Sequence, residues 1–159
     1  MRASFFIFAA VVVACIVAIF SLGKPVAGND ADARPAVVQA DLEILHRARE
    51  LLDSPSKWNR ADNRKCPEGA KTFSLYCALE TATIDVGKKF EHRGAALQEA
   101  RFVIDEIAAT RNYEHRLMDY NNDRTTSFED IQEVLSIAER LITLRLKGGD
   151  SRRVMPTKP

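Results

Sequence analysis

Residues 119–147 read DYNNDRTTSFEDIQEVLSIAERLITLRLK, a loop of acids and amides that feeds a long amphipathic helix. Thr126 followed three residues later by Glu129 predicts a capping box, in which a hydroxyl and a carboxylate satisfy backbone N–H groups orphaned at a helix start. The helix is therefore expected to begin near Ser127. Ile131, Val134, Leu135, Ala138, Leu141, Ile142 and Leu146 recur at steps of three and four, so they share one apolar stripe. Glu133, Glu139, Arg140 and Arg145 fall mostly off it. A stripe of that width has to pack on other elements, and Gly148-Gly149 marks where the helix stops.

The same periodicity recurs upstream. After Pro35, a good first-turn residue, Val38, Leu42, Leu45, Ala48, Leu51 and Leu52 form a stripe that ends before Pro55. Thr72 or Ser74 can cap a second helix running to about Val86, with Leu75, Ala78, Leu79 and Ala82 facing inward. Leu97, Ala100, Ile104, Ile107 and Ala108 predict a third helix over residues 95–111. No sustained alternation and no Asn-Gly or Asp-Gly hairpin signal is found. The fold class is all-α: a small, irregular bundle of about four helices over residues 37–147, with a loose basic tail at 148–159.

Residues 3–22 are almost wholly apolar and follow Arg2. At ~1.5 Å per residue, such a run makes a helix of about 30 Å, the depth of a bilayer core. Two readings stay open: an anchor (residues 1–23) that holds the chain in the inner membrane facing the periplasm, or a cleaved signal peptide that releases it as a periplasmic or secreted protein. Residues 24–36, rich in Gly, Pro, Ala and Asp, read as a flexible tether. Either way the domain sits in an oxidising compartment, which leaves Cys66 and Cys77 as an even pair and predicts a disulfide between them.

The chain has 23 Lys and Arg against 22 Asp and Glu, and without Arg2 the balance is 22 to 22. A nucleic-acid binder needs a basic surplus, so that class is set aside. One site motif has a sharp reading. Asp119, Asn121, Asp123, Thr125, Ser127 and Asp130 occupy positions one, three, five, seven, nine and twelve of an EF-hand calcium loop. Arg124 stands where the turn wants Gly, and Asp130 where a long bidentate Glu belongs, so a plain helix-capping loop competes with the calcium site. No catalytic constellation emerges: Cys77 has no recognisable base, and His46, His92 and His115 lack paired metal spacing. Phe90-Glu91-His92-Arg93 and Tyr113-Glu114-His115-Arg116 echo one another, but their surroundings do not, and the echo reads as chance.

Taken together, the residues Leu45-x2-Ala48-x2-Leu51-Leu52, Trp58, Cys77-Ala78-Leu79 with Ala82, Tyr120-Asn121-Asn122-Asp123 and Thr126-x2-Glu129-Asp130-Ile131 resemble an uncharacterised family of small bacterial helical domains. The resemblance spans residues 41–142. It implies that the aromatic-Asn-Asp loop is structural, and it carries no activity with it. The expectation is a non-catalytic binding module without a cofactor, with calcium as the alternative. Trp58, Tyr76, Tyr113 and Tyr120 are the candidate contacts for an unknown protein partner, and residues 3–22 meet the membrane if uncleaved.

Overall fold

The structure, a computed structural model, describes residues 34–148. These described residues form five α-helices: α1 Gln39–Leu51, α2 Leu75–Gly87, α3 Ala95–Ile107, α4 Arg116–Asn122 and α5 Phe128–Leu146, with a 3-10 turn at Pro55–Lys57. Among the described residues there is no strand, only a parallel bridge between Trp58 and Phe73. The apolar run 3–22, most of the tether and the tail from 149 onward lie outside the described residues. Within them, no helix is long and apolar enough to cross a membrane.

The α5 stripe does what its spacing demands. Ile131, Val134, Leu135, Ala138, Leu141 and Ile142 are fully buried, joined by Ile137, while Leu146 at the frayed end is 36% exposed. At about 1.5–3 kcal/mol for each large aliphatic side chain, this face contributes more apolar stabilisation than that of any other helix. It packs on α1 and α3, α1 packs on α2, and α4 closes the end of the bundle against α2 and α3. One continuous core results, reaching from Leu45 and Leu52 on α1 to Leu79 on α2 and Leu97 and Ile104 on α3.

Several boundaries differ from expectation. The capping box of α5 lies one residue later than predicted: Ser127 Oγ accepts from the Asp130 amide at 3.1 Å, and Asp130 Oδ2 accepts from the Ser127 amide at 2.8 Å. Aspartate at the third helical position closes this box as glutamate would, and Thr126 is instead buried. Helix α1 starts at Gln39, not at Pro35, because Asp41 folds back to accept from the Val38 amide at 2.9 Å. Val38 is left 58% exposed, off the core. Helix α3 ends at Ile107, four residues short of Arg111. The fifth helix, α4, was unforeseen: Tyr120-Asn121-Asn122-Asp123 reads as turn chemistry, yet Leu117 and Tyr120, three apart, supply a buried face for two helical turns.

The N-terminal end of the described chain is strapped down. Glu99 of α3, 1% exposed, accepts from Arg34 Nη1 at 2.7 Å and from Arg145 Nη1 of α5 at 2.7 Å. Arg145 also donates to the Pro35 carbonyl. Residues 34–36 therefore belong to the folded unit, although composition alone places them in the tether.

Candidate functional site

The segment between α1 and α2, residues 52–74, is long and polar, so its backbone groups need partners. Asn121 supplies them from α4. Its side chain is fully buried. Its Oδ1 accepts from Trp58 Nε1 at 2.8 Å and from the Leu75 amide at 3.0 Å. Its Nδ2 donates to the carbonyls of Asn59 and Arg60, each at 3.1 Å. Next to it, Asn122 pairs with the Asp62 backbone like a strand neighbour, accepting from the amide at 2.7 Å and donating to the carbonyl at 2.8 Å. Asp123 accepts from Tyr113 Oη at 2.8 Å and from the Thr125 amide at 2.9 Å. The Thr125 amide and the Tyr113 hydroxyl hold its carboxyl well below the usual range, at about 2. The Tyr-Asn-Asn-Asp run is thus a knot of satisfied hydrogen bonds.

That knot uses up the calcium spacing. Asp119 and Asn121 lie in a helix, where residues two apart point about 200° apart around the axis. Asp119 turns back to accept from the His115 amide at 2.7 Å, Asn121 points into the core, and Asp123 and Thr125 bond to each other. Ser127 and Asp130 are occupied in capping α5. Among the described residues no three His, Cys, Asp or Glu side chains are gathered so as to hold a metal ion. These six residues do not fit an EF-hand site.

The aromatic candidates are mostly internal. Tyr76 and Tyr120 are buried, and Trp58 lies partly buried against Phe128 with ring centroids 6.2 Å apart. Tyr113 stacks edge-on with Tyr120 and spends its hydroxyl on Asp123. Burial, then hydrogen bonding to the acid, pushes the Tyr113 phenol up to about 12. Of the four, Tyr113 borders a shallow pocket at the C-terminal end of α3, and Tyr76 borders one lined by basic side chains.

That pocket, about 160 Å³, lies between α3, the start of α4 and the disulfide-bearing segment. Cys66 and Cys77 are bonded, with Cα atoms 5.2 Å apart, as predicted. The linkage pins the chain two residues beyond Arg64. Arg64 is further fixed by a left-handed backbone, φ 58°, and by the Asp62 carboxylate, which accepts from its amide at 2.7 Å. Its side chain faces His92, Arg93, His115 and Arg116 across the pocket, with Arg101 of α3 among the lining residues. Six basic side chains meet one lining acid, Glu114.

Arg101 is the unusual member. It is 8% exposed, and its contacts are neutral: the His92 carbonyl at 2.9 Å, Gln98 Oε1, and His92 Nε2 at 3.3 Å. A guanidinium only donates, so His92 Nε2 must accept and the imidazole is neutral with its proton on Nδ1. Burial and the Arg101 charge both hold the His92 pKa below its ordinary value. Burial first, then Arg116, lowers Arg101 itself to about 10, still charged at neutral pH. Arg116 has its own counter-ion in Asp105. Arg64, Arg93 and Arg101 have no carboxylate partner among the described residues.

Sequence reading passed over these residues, although a signal was present. The two echoing tetrads, Phe90-Glu91-His92-Arg93 and Tyr113-Glu114-His115-Arg116, precede α3 and run into the start of α4, and their His-Arg pairs line the same pocket from two sides.

A family model described as "Family of unknown function (DUF6197)" matches residues 36–141. No curated protein and no solved structure matches the chain.

Proposed function

The chain belongs to this family of unknown function, and on that premise we propose that it is a binding domain displayed outside the bacterial inner membrane, with the basic pocket as its binding site. The observation that carries the reading is the Cys66–Cys77 bond, which pins the segment that delivers Arg64 to the pocket rim. Disulfides persist in oxidising compartments, and a site whose rim depends on one suits a protein that works there. The apolar run 3–22 supports the same placement, either as an anchor or as a cleaved signal. Binding is favoured over catalysis because the pocket presents cationic donors, and the ring nitrogen of His92 that could act as a base is occupied by Arg101.

A C-terminal alkaline phosphatase fusion, combined with thiol alkylation in intact cells, tests the placement. The fusion should be active, and Cys66 and Cys77 should resist alkylation until a reductant is added. An inactive fusion with both thiols freely alkylated would overturn the proposal.

A further inference from the structure

We propose that the pocket formed by Arg64, Arg93 and Arg101 binds a phosphate group, either free or as the monoester head of a larger molecule. The inference deepens the binding reading above and rests on its choice of pocket. Arg101 is a buried cation whose hydrogen-bond partners are all neutral, and it shares the pocket lining with Arg64, Arg93 and Arg116. Burying a charge is costly unless an opposite charge accompanies it, so the described chain leaves the pocket short of negative charge. Glu114 is the one acid on the lining, against three arginines without carboxylate partners.

The donors also have the right form. Guanidinium groups present planar forks of N–H donors that match phosphate oxygens, and here they arrive from three segments: the disulfide-bearing loop, the turn before α3, and α3 itself. Convergence from several directions suits a tetrahedral anion better than a flat carboxylate. At about 160 Å³, the pocket falls short of the roughly 300–1,000 Å³ typical of sites that enclose whole drug-sized ligands. It is sized for one compact charged group, with the rest of any larger ligand outside.

The test is calorimetric titration of the oxidised full-length chain in nonionic detergent at constant ionic strength. Inorganic phosphate is one arm, with acetate as its control. A short-chain phosphatidic acid is the other, with phosphatidylcholine of the same chains as its control. Saturable heat with inorganic phosphate assigns a soluble phosphate ligand, whereas heat confined to phosphatidic acid assigns a lipid headgroup; acetate and phosphatidylcholine should stay silent. Arg64→Gln and Arg93→Gln, both on exposed positions, should each weaken binding about tenfold, the scale of one charged hydrogen bond, without altering the folded helix content. Arg101→Gln should abolish binding. No saturable heat in either arm, or unchanged affinity in the Arg64 and Arg93 variants, overturns the proposal. The fusion assay reads location alone, so a silent titration beside an active fusion removes the phosphate site and leaves the placement standing.

Discussion

Two polar regions lie side by side at one end of the bundle, and they are built on opposite terms. In the Asn121 knot every buried donor and acceptor of the amide is matched, and Asp123 is surrounded by groups that favour its ionised form. In the Arg101 pocket basic groups outnumber the single acid, Glu114, and Arg101 and His92 are both pushed toward their neutral forms. Closed hydrogen-bond networks fix a conformation, whereas an unbalanced charge in a pocket marks a place where something else completes the balance. The two are linked in sequence: Asn122 holds Asp62, and Asp62 holds Arg64 at the pocket rim.

The contrast can be broken or sharpened by substitution, beginning with the knot. Asn121→Ala orphans the indole N–H of Trp58, the Leu75 amide and two carbonyls at once. With about 1–3 kcal/mol for each buried group left unpaired, the expected loss is about 4 kcal/mol in chemical denaturation. A loss below 1 kcal/mol would mean that water replaces the amide and that the knot is not the keystone. Replacing Cys66 and Cys77 together with Ser should cost about 3 kcal/mol by the loop-entropy argument, read in the same assay against the oxidised native chain.

Asp123 offers a smaller and pH-dependent effect. Its folded pKa, about 2, lies below the ordinary carboxylate value, so its contribution is present above about pH 4 and is lost as pH falls toward 2. The side chain is 13% exposed and the arrangement is partly wet, so about 1 kcal/mol is expected. Asp123→Asn should lower stability at pH 7 by that amount and flatten the difference from the native chain at pH 2. A gap that persists unchanged at pH 2 would assign the effect to shape instead of charge. Smallest of all, Arg64→Gln and Arg93→Gln should shift stability by no more than about 0.5 kcal/mol, because neither side chain holds the fold together.

How far these regions were legible in the sequence follows from the range of their contacts. The α5 stripe and the Ser74 cap of α2 are local patterns, and both appear where the spacing places them; Ser74 accepts from the Cys77 amide at 3.2 Å. The disulfide followed from an even pair of cysteines together with an expected oxidising compartment. Asn121 was legible only as a turn residue, since its partners Trp58 and Leu75 lie 63 and 46 positions away. That distance also explains the missed helix: α4 is stabilised by what docks on it, and seven residues carry little helical preference alone. The calcium spacing was a true pattern of residue types whose oxygens the fold directs elsewhere. The pocket draws on three segments, and its one local trace, the repeated aromatic-Glu-His-Arg, has no meaning until the fold brings the copies together.

The most direct test of the difference between knot and pocket is thermal unfolding of the native chain and of the Arg64→Gln/Arg93→Gln double variant, each with and without inorganic phosphate or the short-chain phosphatidic acid. The account predicts that the anion raises the melting temperature of the native chain by linkage, and that the double variant melts at the native temperature without it and gains little from it. Equal gains in both proteins, or a double variant that melts well below the native chain before any anion is added, would contradict the account and make the pocket part of the scaffold.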